Sequence, residues 1–405
     1  MHGGGVIAHD EGEALMVFYA LPGELVEVVP KNRQSGLTYA NAVDVLESSA
    51  ERVPPRCPHF GECGGCQWQH ARYDRQLELK REVVDEAWRR AGVRLPPDAP
   101  VIGMVDPWRY RIRGEFEALT DRHGRVSLGF HRMRSHSVLP VTTCPIHDER
   151  IERAALALAE AATELGLSGL QSVLLTVEPT GPGLLWRTRY RRPSQGSQDP
   201  ALAARAAELL PGLVLLEDSM SLDFWDLSFR VRSDTFVQTN YRQMLVLYQT
   251  ALEMLGAGSR DAVLDLYAGI GTIAVAVART AGSVTAIEEN PAAVRLSRLN
   301  ARINDARNLR VLPGRVEEAL RQVRVGDHQA VVLDPPRAGC EPGAIAELLR
   351  LGTERVVYIS CEPSTQARDV ALLVRGGYRV RRAAVVDMFP HTYHVECVAL
   401  LERRA

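Results

Sequence analysis

The stretch AVLDLYAGIGT, residues 262–272, passes from apolar, strand-like residues into a turn rich in glycine. The small residues IAVAVART follow at 273–280 and predict a helix directly after the turn. Gly269 and Gly271 allow a tight turn and let a ligand approach the main chain closely. A strand, a glycine-rich turn and a helix in this order predict one half of a nucleotide-binding α/β sheet.

Short β-branched segments recur beyond this turn, and they are SVTAIE, LRVLP, QAVVLD, RVVYIS and, near the end of the chain, VECVALL. Together with AVLDLY they make six predicted strands, and helical stretches rich in Ala, Leu and Arg separate the first five. This alternation predicts an α/β fold with a Rossmann-like, mainly parallel sheet. Ligands of such sheets bind at the carboxyl ends of the strands.

An acidic residue at the end of the next predicted strand indicates which ligand the sheet binds. Glu288 ends the next predicted strand, 19 residues after Gly269, where a carboxylate can accept hydrogen bonds from both ribose hydroxyls of a nucleoside. Ala274 stands where the third glycine of GxGxxG would fall. S-adenosylmethionine has no pyrophosphate that would need a glycine cradle, so it fits this turn better than a dinucleotide does. The alternative is a sheet whose glycines only turn the chain.

Three motifs with reactive side chains follow the carboxyl ends of predicted strands, and they are LDPPRAG (333–339), ISCEPST (359–365) and DMFPHTYHVE (387–396). The topology places all three around one crevice. Cys361 directly precedes a predicted helix, whose terminal amides can favour the thiolate, and Glu396 comes from a neighbouring loop. We interpret them as a nucleophile with a proton-handling partner. Cys340, Cys397, His391 and His394 are given no chemical role.

A thiolate, a carboxylate and a methyl donor together suit one reaction on a pyrimidine. Carbon 5 of uracil is a poor nucleophile until a thiolate adds to carbon 6. Carbon 5 can then attack a sulfonium methyl group, and a base removes its proton so that the thiolate leaves.

The chain divides into three predicted regions. Residues 1–56 contain short apolar runs separated by turn residues and predict a small β-barrel. Residues 57–237 contain a cysteine cluster, amphipathic helices over 73–91 and 151–165, and many strand-like segments. Residues 238–405 contain the α/β sheet.

Composition limits where the protein works. Its 405 residues carry a formal net charge of −2 and include no apolar run of the roughly 18 residues that span a membrane. The N-terminus lacks the basic-then-apolar pattern of a signal peptide. We expect a cytoplasmic monomer that does not contact membranes.

Positive charge is carried almost entirely by arginine, since lysine occurs only at Lys31 and Lys80. Arginines concentrate in WRYRIRG (108–114), FHRMRSH (130–136) and LWRTRYRR (185–192). One interpretation is solvated strand faces. Three such stretches in one region favour a basic groove for RNA or DNA.

The cysteines form a cluster. CPHFGECGGC, residues 57–66, contains Cys57, Cys63 and Cys66, and the next cysteine is Cys144. Four thiolates can hold a structural zinc ion or an iron-sulfur cluster. The C-x5-C-x2-C spacing departs from the paired knuckles usual for zinc. It also differs from the C-x3-C-x2-C motif of enzymes that generate radicals from S-adenosylmethionine. We therefore favour a structural or RNA-positioning role for the four cysteines.

With these motifs in this order, the chain resembles the uridine-5 RNA methyltransferase family. It is most similar to the branch with a TRAM domain and a cysteine-rich cluster, which acts on 23S ribosomal RNA. The similarity is carried by CPHFGECGGCQWQH, FVQTN, DLYAGIG, LDPPRAG, SCEPST and DMFPHTYHVE. It implies a class I fold dependent on S-adenosylmethionine, an N-terminal OB-like TRAM barrel and a β-rich central domain with a [4Fe-4S] cluster.

The resemblance also implies roles for individual residues. Cys361 would attack carbon 6 of a flipped-out uridine, and Glu396 would remove the carbon 5 proton. Asp334 would touch the methyl donor and the target base. The other residues implied in the donor pocket are Gln238, Tyr267, Thr272 and Glu288, and the implied cluster ligands are Cys57, Cys63, Cys66 and Cys144.

Four positions depart from the family pattern. Ala268 and Glu362 replace a frequent cysteine and the usual asparagine of SCNP, Ile112 replaces a common asparagine, and Arg315 stands where many members place a residue beside the adenine. Two alternatives stay open. One is the same reaction on transfer RNA, and the other is an iron-sulfur RNA-binding module with an inactive methyltransferase domain.

Overall fold

The computed structural model describes residues 3–10, 12–34 and 36–404. The first four strands are β1 (Val6–Asp10), β2 (Glu13–Phe18), β3 (Leu25–Gln34) and β4 (Leu37–Glu47). They form one sheet in the order β1-β2-β4-β3, in which β2 and β4 are parallel. The pairings of the described residues leave β1 and β3 at the two edges, so the predicted barrel stays a prediction.

A second group of elements follows in chain order: α1 (Tyr73–Arg90), β5 (Val101–Ile102), β6 (Arg113–Thr120), β7 (Val126–His131), β8 (Val138–Pro140), α2 (Glu149–Glu164), β9 (Leu170–Val177), β10 (Gly183–Tyr190), a 3₁₀ helix (Pro193–Gln198), α3 (Asp199–Leu209), β11 (Val214–Leu216), β12 (Met220–Phe224) and β13 (Leu227–Val231). Six of the strands form a sheet in the order β11-β10-β9-β6-β7-β8. Helix α2 buries its alanine-rich face against this sheet. The Asp148 carboxylate caps α2 by accepting from the Arg150 amide at 2.9 Å.

The remaining elements build the predicted α/β sheet, and they are α4 (Tyr241–Leu255), β14 (Ala262–Leu266), α5 (Thr272–Ala278), β15 (Ser283–Glu288), α6 (Pro291–Ile303), β16 (Leu309–Pro313), α7 (Val316–Leu320), β17 (Ala330–Leu333), α8 (Pro342–Leu351), β18 (Arg355–Ser360), α9 (Pro363–Arg375), β19 (Tyr378–Val386) and β20 (Glu396–Arg403). The strand order is β16-β15-β14-β17-β18-β20-β19-β5, and β14 to β18 run parallel. The prediction of a mainly parallel, doubly wound sheet is confirmed. Strand β20 runs antiparallel to both neighbours.

Two strands of this sheet were not separated in the sequence analysis. The first half of β19 contains three exposed arginines, and a register shift between Val380 and Arg382 interrupts its alternation. β5 has only two residues and comes from the first third of the chain. Neither gives a periodic signal, because a bulge and a two-residue strand carry almost none.

Helix α1 belongs spatially to the C-terminal sheet. Val84 and Trp88 are fully buried in the same cluster as residues of β17, β18 and β20. The predicted boundary at 237/238 stays a prediction, but the packing ties residues 73–102 to the sheet that carries the reactive motifs. Among the described residues, no helix is both long and apolar enough to cross a membrane.

We expect Trp88→Ala to lower the free energy of unfolding by about 3 to 5 kcal/mol, because it removes a fully buried indole between α1 and the sheet. Urea denaturation followed by far-UV circular dichroism measures the change. Trp225→Ala is the control, since Trp225 is 47% exposed, and it should cost less than about 1 kcal/mol. Equal losses in the two variants would contradict the packing of α1 on the sheet.

Candidate active site

The glycine-rich turn between β14 and α5 has left-handed backbone conformations. Tyr267, Gly269 and Gly271 have φ values of 61°, 55° and 85°. A Cβ at position 271 would lie 2.5 Å from the Ser297 hydroxyl oxygen, so only glycine fits between α5 and α6 there. The turn exposes its main chain to a cleft above the ends of the strands.

Glu288 braces this turn from β15. Its Oε2 accepts from the Gly269 amide at 2.9 Å, and its Oε1 accepts from the Asn290 amide at 2.7 Å. Asn290 caps α6, as its Oδ1 accepts from the Ala292 amide. The carboxylate predicted to bind a ribose is thus held in place by the turn that would present the ligand.

A cleft of about 400 Å³ lies over the turn and brings together six of the seven residues predicted for catalysis and donor binding. They come from the segment before α4, the β14–α5 turn and the ends of β17, β18 and β20. They are Gln238, Tyr267, Thr272, Asp334, Cys361 and Glu396. The topology therefore brings together side chains as far apart in sequence as Gln238 and Glu396.

Glu288, the seventh, lines an adjoining pocket of about 280 Å³ together with Arg315. Tyr267 and Pro336 line both spaces, so the two pockets lie side by side. Arg315 pairs with Glu317 at 2.5 Å and stays half exposed. A long ligand in the main cleft has room to extend past Tyr267 toward Glu288.

Strand register places the predicted nucleophile and the predicted base opposite each other. β18 and β20 are antiparallel, and Ser360 pairs with Cys397 at the last position of the ladder. The next positions outward are Cys361 and Glu396, which the same register places directly opposite one another. Side chains at opposed positions of antiparallel strands are within contact range.

The neighbouring ladder delivers Asp334 in the same way. Leu266 of β14 pairs with Leu333 of parallel β17, and the Asp334 amide donates to the Leu266 carbonyl at 3.4 Å. Tyr267 and Asp334 therefore leave their strands side by side, below Cys361.

The cleft is rich in carboxyl groups with little exposure to solvent. Burial raises the pKa of Asp334 to about 7. Burial and the Asp334 carboxylate raise the pKa of Glu396 and the pKa of Asp265 well above their usual range. One carboxyl oxygen of Glu396 and one of Asp265 are buried without a hydrogen-bond partner. Such groups are costly to bury unless a ligand satisfies them.

The thiol of Cys361 differs from expectation. Helix amides were expected to favour its thiolate, but burial, Glu396 and Asp334 raise its pKa to about 11. Arg337 acts in the opposite direction, by its charge and by a hydrogen bond to the thiol. Nearby acidic groups and desolvation outweigh the helix terminus in the ligand-free cleft.

Three residues of the cleft were not singled out from the sequence. Arg337 and Asp265 stand inside the quoted motifs LDPPRAG and DLYAGIGT, so the signal was present and was read only for its other members. Tyr248 of α4 reaches the Thr272 hydroxyl at 3.3 Å. It carries no motif, because its place depends on how α4 packs.

Cys340, Cys397, His391 and His394 do not line the cleft. Cys340 and Cys397 are buried, and the Cys340 thiol contacts the Tyr358 hydroxyl at 3.7 Å. His391 stacks on Trp108 with ring centroids 3.8 Å apart, and burial lowers its pKa to about 3. A neutral, stacked imidazole has a structural role here.

The four predicted cluster cysteines line one small cavity of about 60 Å³, and they are Cys57, Cys63, Cys66 and Cys144. Among the described residues, no three Cys, His, Asp or Glu side chains stand close enough to hold a single metal ion. The Cys57 amide donates to Gln69 at 3.0 Å, and the Gly64 amide donates to the His131 carbonyl at 3.0 Å. The bond to His131 joins the cysteine segment to β7 of the six-stranded sheet.

Many arginines of the predicted basic groove have internal partners. Arg109 pairs with Glu152 at 2.7 Å, Arg132 pairs with Glu62, and Arg189 pairs with Glu117 at 3.5 Å. Arg113 donates to the Thr235 carbonyl at 3.1 Å. Much of the charge in these stretches therefore joins segments of the chain to one another, and the groove stays a prediction.

Comparisons with known proteins agree with this geometry. Residues 212–404 match the family described as tRNA (Uracil-5-)-methyltransferase. An uncharacterized RNA methyltransferase of Gloeobacter violaceus is 33% identical over 99% of this chain and 94% of its own length. One from Halalkalibacterium halodurans is 31% identical over the same shares.

A solved structure shares the whole fold. The tRNA (uracil-54, C5)-methyltransferase of Pyrococcus abyssi, crystallised with S-adenosyl-L-homocysteine, aligns with a TM-score of 0.73 at 23% identity, covering 98% of each chain. The α/β part is therefore a class I methyltransferase fold. The chain belongs to the RNA uracil-5-methyltransferase family.

We expect alkylation of Cys361 by iodoacetamide to rise about tenfold per pH unit between pH 7 and 9 without levelling off, because a pKa of about 11 leaves few thiolates in that range. Asp334→Asn should speed the reaction at pH 8, since Asp334 with a pKa of about 7 is ionised there and opposes the thiolate.

Arg337→Gln should slow the same reaction, because it removes the positive charge that favours the thiolate. Peptide mass spectrometry resolves Cys361 from the other six cysteines. A rate that levels off below pH 8 would show a thiol of ordinary or lowered pKa and contradict the electrostatic account.

Proposed function

We propose that the protein methylates carbon 5 of a uridine in 23S ribosomal RNA with S-adenosylmethionine as donor. The observation that carries the proposal is the opposition of Cys361 and Glu396 at the end of the β18–β20 ladder, beside Asp334 and the glycine-rich turn. A nucleophile, a base and a donor pocket at one edge match the needs of this reaction.

The cleft suits a cationic donor. Asp265, Asp334 and Glu396 line it, and two of these carboxyl groups have unpaired buried oxygens. A ligand with a positive sulfonium and a positive ammonium group would lower the cost of burying them. Gln238, Thr272 and the main chain of Gly269 are placed to hold its polar parts, and Glu288 in the adjoining pocket is placed for its ribose.

Each residue then has a defined task. The Cys361 thiolate forms a bond to carbon 6, and the electron pair of the 5,6 double bond moves toward carbon 5 and the carbonyl at carbon 4. When bound, S-adenosylmethionine would supply the electrophilic methyl group to carbon 5, and the electron pair of the broken methyl–sulfur bond would stay on the sulfur of the departing S-adenosylhomocysteine. Glu396 takes the proton from carbon 5, the double bond re-forms, and the thiolate leaves.

Arg337 has a supporting task in this scheme. It is the cationic side chain that lowers the pKa of the Cys361 thiol, against its two acidic neighbours Glu396 and Asp334. A raised pKa for Glu396 is useful once a proton must be taken, because a stronger base takes it more readily.

The choice of ribosomal RNA rests on the family resemblance of the N-terminal region and the cysteine cluster. The four-stranded sheet of β1–β4 stands where a TRAM domain is expected. Because the archaeal enzyme for uracil-54 of tRNA spans 98% of the chain, transfer RNA is the second substrate to be tested.

We further propose that Cys57, Cys63, Cys66 and Cys144 hold a [4Fe-4S] cluster. The four thiols line one cavity, and the negative charges of the other three add to burial in raising the pKa of the Cys66 thiol, so the four are near neighbours. Zinc would require four sulfur atoms about 2.3 Å from one ion. A [4Fe-4S] cluster held by these four thiolates would join the cysteine segment to the segment of Cys144.

The first experiment incubates the protein with labelled S-adenosylmethionine and either unmodified 23S ribosomal RNA or unmodified transfer RNA, made by transcription. We expect 5-methyluridine at defined positions of the 23S RNA, mapped by nuclease digestion and mass spectrometry. Cys361→Ala should abolish the product, because no other thiol opposes Glu396.

Cys397→Ala is the matched control. It removes a buried thiol on the adjacent strand residue and should keep activity within about threefold. Methylation that survives Cys361→Ala would overturn the mechanism. If only transfer RNA is methylated, transfer RNA is the substrate in place of 23S ribosomal RNA. If neither RNA is methylated, an RNA-binding module without catalysis is favoured.

The second experiment tests the cluster. Protein purified without oxygen should be brown, with broad visible absorption and about four irons per chain. Cys144→Ala should lose the colour and most of the iron, whereas Cys340→Ala, which removes a buried cysteine outside the cavity, should keep both. A colourless protein with one zinc per chain would overturn the cluster assignment.

A further inference from the structure

The loop between β19 and β20, residues 387–395, has five successive main-chain carbonyls that accept hydrogen bonds from outside the loop. Gln243 Nε2 donates to the Asp387 carbonyl at 3.1 Å, and Asn240 Nδ2 donates to the Met388 carbonyl at 3.0 Å. Lys80 Nζ donates to the Phe389 carbonyl at 2.9 Å, and the Tyr110 hydroxyl donates to the Pro390 carbonyl at 3.0 Å. The main-chain amides of Gln67 and Trp68 both donate to the His391 carbonyl, at 3.0 and 2.9 Å. We call these six bonds to five carbonyls the carbonyl clamp.

The donors of the carbonyl clamp come from four separate segments. Asn240 and Gln243 begin α4, Lys80 lies in α1, Tyr110 precedes β6, and the two amides directly follow the cysteine segment. Lys80, Tyr110, Asn240 and Gln243 are all buried. Loop carbonyls ordinarily face water, so six buried donors from four segments make an unusually complete restraint.

Two further contacts hold the same loop. The Asp387 carboxylate pairs with the Lys80 ammonium and accepts from the Tyr73 hydroxyl at 2.8 Å. His391 has a left-handed φ of 67° and its amide donates to the Gln76 side chain at 2.8 Å. A histidine keeps that conformation only when its surroundings hold it there.

The loop ends at Glu396, which is the first residue of β20 and pairs with Val386 at the end of the β19 ladder. Ladder ends fray, so the position of this carboxylate depends on the chain that precedes it. We infer that the carbonyl clamp positions Glu396, and that Tyr110, Lys80, Asn240 and Gln243 are positioning residues for the base of the proposed methylation.

This inference rests on the proposed function and predicts which step suffers when the carbonyl clamp is weakened. Bond formation between Cys361 and carbon 6, and methyl transfer to carbon 5, do not use Glu396. Removal of the carbon 5 proton does. A displaced base therefore leaves RNA bonded to Cys361 through carbon 6, with the new methyl group and the original hydrogen both on carbon 5.

The test compares Tyr110→Phe with Tyr378→Phe. Each variant removes one buried hydroxyl that donates to a main-chain carbonyl, to Pro390 in the first case and to Thr353 at 2.8 Å, far from the cleft, in the second. Wild type and variants are incubated with unmodified 23S ribosomal RNA and S-adenosylmethionine, denatured and digested with nuclease. Intact-protein mass then gives the fraction carrying a methylated nucleotide.

We expect Tyr110→Phe to accumulate this adduct at least about fivefold over wild type, while release of 5-methyluridine falls about 10- to 100-fold. Uridine deuterated at carbon 5 should slow turnover in Tyr110→Phe more than in wild type, because proton removal then limits the rate. Tyr378→Phe should match wild type in both measurements. Tyr73→Phe, which removes one of the two side-chain contacts of the Asp387 carboxylate, should behave as Tyr110→Phe does.

Glu396→Gln serves as the reference for a missing base and should trap the adduct. If wild type and Glu396→Gln behave as expected but Tyr110→Phe and Tyr73→Phe show no adduct and no larger isotope effect than Tyr378→Phe, the positioning role is overturned. If wild type forms neither adduct nor product, the proposed function itself fails.

Discussion

The hydrogen-bond register between β18 and β20 is the constraint on which the site depends. Ser360 and Cys397 form the last pair, so Cys361 and Glu396 face one another immediately beyond it. A shift of one residue would turn one of the two side chains to the opposite face of the sheet. Because β20 is antiparallel within a parallel sheet, the start of β20 meets the end of β18, and a base can stand opposite a nucleophile.

The carboxyl groups of the cleft around this pair lower the stability of the folded protein. Asp265 and Glu396 are buried beside the half-buried Asp334, and each of the two buried groups has an oxygen without a partner. Their mutual repulsion and burial keep protons on groups that are ordinarily ionised, and they keep the Cys361 thiol protonated. A cationic ligand relieves this arrangement, so the electrostatics favour occupation by a donor of positive charge before the thiol reacts.

The N-terminal half of the chain also supports the C-terminal sheet. Helix α1 and β5 complete that sheet, and Gln67, Trp68 and Tyr110 hold the loop that leads to Glu396. Some arginines of the predicted basic groove pair with glutamates and carbonyls of other segments. The geometry of the base is therefore a property of several regions, not of the methyltransferase sheet alone.

The sequence by itself determined the local features: the strand, glycine-rich turn and helix at 262–280, the alternation that predicts a parallel sheet, and the reactive types at 361 and 396. These are readable because periodicity and turn chemistry act within a few residues. Only the tertiary structure decided that β5 joins the sheet, that Asp265 and Arg337 complete the cleft, and that the pKa of Cys361 is raised. Strand register, burial and the charges of distant neighbours set those properties, and none of them has a local signature in the chain.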